Sequence, residues 1–129
     1  GVEVLDVKGE KKIEYDFSPF ALQDAIGGRS AKNAWIEYQK LRELNIEAED
    51  ICPKIVNKLR DMLAISKGAK KEDLGIKSDF PYNKSKRDLK NWSPSSLEEF
   101  YKQSIHLYHD ARMFGKDLEV ELEKMLLSL

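Results

Sequence analysis

The chain has 129 residues, a length suited to one domain with a sizeable core, and its 22 basic and 23 acidic side chains nearly cancel. That balance excludes a strongly basic surface overall, and a charged fraction of 35% points to long solvated helix faces. A single cysteine, Cys52, excludes an internal disulfide and a cysteine-built metal site and fits a reducing, cytoplasmic setting; no run approaches the roughly 18 apolar residues of a membrane span, and no signal peptide is visible.

Residues 1–16 begin without Met and read as an N-terminal arm or the remnant of a preceding domain. Val2 and Val4, then Ile13 and Tyr15, alternate with polar residues on either side of Lys8-Gly9-Glu10-Lys11, which predicts a short hairpin or extended arm. Helical signals start at residue 17. Ser18-Pro19 gives an N-cap followed by proline at the first helical position, opening a helix that runs through Ile26 and buries Phe20 with Leu22 or Ala25. Gly27-Gly28 is expected to end it in left-handed backbone.

Ser30 caps the next helix, whose apolar stripe is Ala31, Ala34, Trp35, Tyr38, Leu41 and Leu44, and Asn45 stops it. Asp50 is the expected cap of a third helix, with Pro53 in its first turn. Cys52, Ile55, Val56, Leu59, Met62, Leu63 and Ser66 share one face there, and Lys54, Lys58, Arg60 and Asp61 lie elsewhere. Cys52 near that helix start reads as a small core residue, with a reactive thiol as the rival reading. A single turn is expected over Glu72–Leu74, a loop from Gly75 to Pro81, and a basic helix from Tyr82 to Trp92.

Ser93-Pro94 repeats the cap-plus-proline signature and opens the longest helix, which reaches Phe114 and stops at Gly115. Its inner face is Leu97, Phe100 or Tyr101, Ser104, Ile105, Tyr108, Ala111 and Arg112. Asp117 then caps a last helix with Leu118, Leu122, Met125, Leu126 and Leu129 as its stripe. The fold class is all-α: a bundle of about five antiparallel helices over residues 17–129, preceded by the arm.

Little in the sequence is built for chemistry. His106, His109 and Asp110 could share a helix face and hold a metal, and the His-Asp pair resembles the core of the HD-type metal-dependent phosphohydrolases. That family needs another upstream histidine, and this chain has only two histidines. No phosphate-binding loop and no nucleophile elbow is present. The stretch from Lys67 to Lys90 is basic and carries aromatics (Phe80, Tyr82, then Trp92), a mixture used for phosphates and base stacking, although Asp73, Asp79 and Asp88 interrupt it.

Three ordered stretches carry a family resemblance. The first is Phe17-Ser-Pro-Phe-Ala-Leu-Gln-Asp-Ala-Ile-Gly-Gly-Arg-Ser leading into Ala34-Trp35 and Leu41-Arg42-Glu43-Leu44. The second is Ile55-Val-Asn-Lys-Leu-Arg-Asp-Met-Leu, then Lys67-Gly68. The third is Phe80-Pro-Tyr-Asn-Lys, Trp92-Ser93, Leu97, Asp110 and the terminal Leu122 to Leu129. In this order they resemble the C-terminal region of the delta subunits of bacterial DNA polymerase III, components of the clamp loader. One departure is Phe114, which stands where a lysine commonly follows the aspartate matched by Asp110.

The resemblance implies a collar domain that packs against equivalent domains of neighbouring clamp-loader subunits in DNA replication and has no catalytic residue, cofactor, metal or small-molecule substrate of its own. DNA would be touched only weakly or indirectly, with Lys84, Lys86, Arg87 and Lys90 as the candidate contacts for DNA or a partner. The alternatives are a metal-dependent phosphohydrolase using His106, His109 and Asp110, and a stand-alone nucleic-acid-binding helical domain.

Overall fold

A computed structural model describes residues 2–5, 11–14, 20–115 and 117–129. Strands β1 (Val2–Leu5) and β2 (Lys11–Glu14) pair antiparallel, with Val2 opposite Glu14 and Leu5 opposite Lys11. The rest is helical: α1 (Ala21–Gly27), α2 (Ala31–Glu43), α3 (Ala48–Ser66), α4 (Asp79–Asp88), α5 (Pro94–Phe114) and α6 (Leu118–Leu127). Two 3-10 turns, Glu72–Leu74 and Leu89–Asn91, bracket α4. The described residues therefore hold six α-helices where the apolar pattern predicts about five.

The ends of these helices follow local chemistry. Ser18 and Pro19 lie outside the described residues; α1 begins at Ala21 with Phe20 as its N-cap. Phe20 stands ahead of the buried Leu22, Ala25 and Ile26 and is 60% exposed, contrary to the core role its sequence position suggests. The left-handed residue after α1 is Arg29 (φ 55°), and neither Gly27 nor Gly28 adopts that conformation. Arg29 N–H donates to the Ile26 carbonyl and Ser30 N–H to the Ala25 carbonyl, each at 2.9 Å, a Schellman closure that satisfies two end carbonyls. Gly27 serves a different need: a Cβ there would run into the carboxylate of Asp88.

Ser30 Oγ accepts from Asn33 N–H at 3.2 Å and caps α2, as its position predicts. Asn45 takes φ 62° and closes α2 with a second Schellman pair, Asn45 N–H to Arg42 O and Ile46 N–H to Leu41 O. Of the predicted α2 stripe, Ala34 and Tyr38 are fully buried, whereas Trp35 and Leu44 reach solvent. Helix α3 starts three residues earlier than expected, with Glu47 as its cap residue, whose side chain makes no cap bond. Asp50 therefore lies inside the first turn, where its charge suits the helix dipole, and Pro53 falls in the second turn.

The buried row of α3 is Ile51, Cys52, Ile55, Lys58, Leu59, Met62 and Ile65. Lys58 belongs to this row, contrary to its sequence assignment, because three- and four-residue steps run 51, 55, 58, 62, 65 through it. Ser66 is exposed. Helix α4 begins at Asp79 and takes Phe80 and Pro81 out of the predicted loop, with Pro81 in the first turn where its missing N–H removes no helical bond. Ser93 opens α5 through a reciprocal capping box with Ser96, Gly115 (φ 65°) closes it, and Asp117 caps α6.

Helix α3 is the centre of the core, packing against α1, α4, α5 and α6, while α2 packs on α1 and α6. Leu97, Phe100 and Ser104 of α5 are buried, but Ile105 and Arg112 are exposed and the second half of the helix runs along the edge of the core. Tyr38 locks α2 to α6 by donating its hydroxyl to the Glu119 carbonyl at 3.0 Å. Beside it, Arg42 pairs with Glu119 at 2.8 Å and donates to the Ile46 carbonyl at 3.0 Å, which ties the loop after α2 to α6.

Two measurements test this packing. Gly27→Ala should lower stability by about 1–3 kcal/mol in urea unfolding, because the new methyl displaces Asp88. Gly28→Ala, at φ −74° with its nearest contact 3.4 Å away, should be neutral or stabilising by up to about 1 kcal/mol. Burial also raises the Cys52 thiol from 9.0 to about 11 and the Tyr38 phenol from 10.0 to about 12. Both groups fold best neutral, so their stabilisation is complete below pH 9 and is lost as pH climbs through 11 to 12. Thiol titration at pH 8 should leave Cys52 unreacted until denaturant is added, and alkaline unfolding should coincide with tyrosinate absorbance.

Candidate interaction surfaces

The basic helix α4 is held down from its buried side. Lys58 Nζ donates to Ser85 Oγ at 2.9 Å and to Asp88 Oδ2 at 3.0 Å, and Lys58 and Ser85 are 7% and 6% exposed. A buried ammonium is tolerable only with a counter-charge and hydrogen-bond acceptors, and α4 supplies both at positions 85 and 88. The next residues carry the join onward. Asn91 Nδ2 donates to the Gly27 carbonyl, and Trp92 Nε1–H is shared between the Ile26 and Gly27 carbonyls, each at 3.2 Å. Arg29 lies over the Trp92 ring with Cζ 4.7 Å from its centroid, a stacking contact that holds the left-handed residue in place.

On the outer side of α4 the four predicted contact residues divide. Lys84 is engaged, 2.7 Å from Asp24 Oδ2 and 5.9 Å above the Phe80 ring. Lys86, Arg87 and Lys90 are exposed and form no ion pair among the described residues. Their spacing of one and three residues keeps them together at the C-terminal end of the helix and the following turn. Of the interleaved aromatics, Phe80 is 69% exposed, Tyr82 donates its hydroxyl to the Ala69 carbonyl at 2.9 Å, and Trp92 is buried.

A second surface lies between α5 and α6, where a groove of about 360 Å³ is lined by Gln103, His106, Leu107, Asp110, Glu121, Lys124, Met125 and Ser128. The same two helices carry exposed apolar side chains: Met113 and Phe114 at the end of α5, and Val120 and Leu127 on α6. His106 and Asp110 are both in this groove, one turn apart. His109 instead sits edge-on to Phe114, with centroids 6.4 Å apart and Nδ1 3.7 Å from Asp110. Among the described residues no three of His, Cys, Asp or Glu gather as a metal-holding group.

Cys52 is fully buried, and the upward shift of its thiol makes it a core residue, without the thiolate character a nucleophile needs. No helix among the described residues is long and apolar enough to cross a membrane. Compared with family models, curated proteins and solved structures, the chain matches none.

Sequence reasoning missed Lys58, Ser85 and Asp88 as a unit, although the stride of the α3 row passes through Lys58 and the three-residue step from Ser85 to Asp88 puts both on one face of α4. Asp88→Ala, which strands the ammonium, should cost about 3–5 kcal/mol. The double variant Lys58→Met with Asp88→Ala should recover much of that stability in urea unfolding. Strictly additive effects would mean that the two side chains do not act as a pair.

Proposed function

We propose that this chain is an assembly domain, the collar-type C-terminal domain of a DNA polymerase III delta subunit, which holds a clamp loader together during DNA replication. The reading rests on the family resemblance of the sequence, and a collar-like arrangement of antiparallel helices belongs to the same proposal. One structural observation carries it furthest. Met113, Phe114, Val120 and Leu127 are 65%, 70%, 42% and 54% exposed, so α5 and α6 offer apolar surface beyond what the internal core uses.

Phe114 is the position at which the family commonly has lysine, and an exposed phenylalanine there suits a contact made by burial, with no need of charge. A stable protein–protein interface removes about 1,600 Å² from water in total, with most of its energy in a few central apolar or aromatic residues. The partners on this reading are other clamp-loader subunits, and the chain contributes position without catalysis.

A specific observation also supports a secondary contact. Lys86, Arg87 and Lys90 form an exposed basic group, whose chemistry matches a nucleic-acid backbone or an acidic partner surface.

Two experiments test these readings. Co-purification of the full-length parent protein with the other clamp-loader subunits should succeed, and Phe114→Asp with Leu127→Asp should weaken it at least about tenfold while thermal stability stays unchanged. Failure of the unaltered full-length protein to associate would sink the proposal. For the basic group, replacing Lys86, Arg87 and Lys90 by Gln should make the salt dependence of single-stranded DNA binding shallower, by a slope of about 0.7 for each phosphate that is no longer neutralised. Binding indifferent to salt would remove DNA from the reading.

A further inference from the structure

The chain carries one cysteine and three methionines, and their sulfur-bearing side chains meet solvent very unequally. Cys52 and Met62 are fully buried on α3 and Met125 is 6% exposed on α6, whereas Met113, in the last turn of α5, is 65% exposed. An oxidant in water therefore has one sulfur-bearing side chain within easy reach.

Met113 also belongs to the apolar surface proposed above for subunit contact. Phe114 follows it, and Ile105, 41% exposed, stands two turns back on the same face of α5, with His109 between them at four-residue steps. A thioether in such a surface is apolar and adaptable. Its sulfoxide is polar, and carrying it into a dry interface without a donor costs far more than burying methionine. The core is spared, because the packed Cys52, Met62 and Met125 are not reached.

We propose that Met113 is a redox modification site that governs docking of this domain: a peroxide converts its thioether to the sulfoxide, which weakens association, and a thiol-dependent reductase reverses the change. The inference rests on the assembly reading above. In the forward step the S–O bond forms as the O–O bond of hydrogen peroxide breaks, and a sulfur lone pair supplies the electrons. The thioether is oxidised, the peroxide is reduced, and its second oxygen leaves as water. In the reverse step the sulfoxide oxygen leaves as water while a pair of thiols becomes a disulfide.

Mass spectrometry of the full-length parent protein after dilute hydrogen peroxide tests the first step. Met113 should gain oxygen at least about tenfold faster than Met62 and Met125, and equal rates at these sites would overturn the proposal. Affinity for the other clamp-loader subunits tests the second step. The oxidised protein should bind at least about fivefold more weakly with an unchanged Tm, and methionine sulfoxide reductases with dithiothreitol should restore binding. Met113→Leu removes the sulfur, so its own affinity should change less than about twofold on peroxide treatment. Docking should in turn slow the oxidation of Met113. A loss of affinity that comes with a lowered Tm, an equal loss in Met113→Leu, or no loss once Met113 is fully oxidised overturns the proposal and leaves the assembly reading standing. If the untreated protein fails to associate, the assembly reading falls and this inference falls with it.

Discussion

The position of α4 depends on one buried charge. Lys58 projects from the middle of the central helix into a place where an ammonium is costly, and only Asp88 and Ser85 of α4 relieve it. Because the pair fixes which way α4 faces, it also decides what stands over the end of α1. The Asp88 carboxylate occupies the space a side chain at position 27 would need, which is why glycine is required there. Asn91 and Trp92 follow within four residues and take the carbonyls that α1 leaves at its C-terminal end. The ion pair, the glycine, the tryptophan and the strained Arg29 are thus one connected joint between α1, α3 and α4. A hydrophobic pair could have filled the same volume, but it would not have selected one rotation of α4 as an ion pair with fixed hydrogen-bond geometry does.

The parts of this fold that were legible in the sequence are those decided locally. Ser30, Ser93 and Asp117 cap helices because a short oxygen-bearing side chain satisfies an adjacent N–H, and Asn45 and Gly115 end helices because they tolerate positive φ. None of these needs information from elsewhere in the chain. Other misread positions depend on distant partners. Lys58 looks like a solvated lysine until α4 arrives 27 to 30 residues later with a carboxylate and a hydroxyl. Gly27 looks like a helix terminator until Asp88, far along the chain, claims its missing Cβ. Phe20 looks like a core residue by type, yet it is 60% exposed and lines a cleft with residues of α1, α3 and α4.

The candidate site residues show the same division. The exposure of Lys86, Arg87 and Lys90 follows from helical spacing once the buried side of α4 is known, and Ser85 and Asp88 define that side. Lys84 could not be placed from spacing, because its partner Asp24 lies on α1. His106, His109 and Asp110 are close in sequence and share a helix, but metal binding needs ligands converging from several directions, and the neighbouring helix α6 offers Glu121, Lys124 and Met125 beside His106 and Asp110. A lysine in that wall opposes a cation as directly as Glu121 would favour one.

The distribution of apolar surface separates assembly from internal stability. Within the core, α3 is already surrounded by α1, α4, α5 and α6, so the burial of Leu59, Met62 and Ile65 is complete without any further chain. The ends of α5 and α6 are different, for the last turn of α5 carries Met113 and Phe114 into solvent just before Gly115 reverses the backbone. Internal packing does not require these side chains to be apolar, and a solvated helix end is ordinarily better served by polar ones. On the proposed assembly reading these side chains are buried against another protein, and none of them takes part in the Lys58 joint.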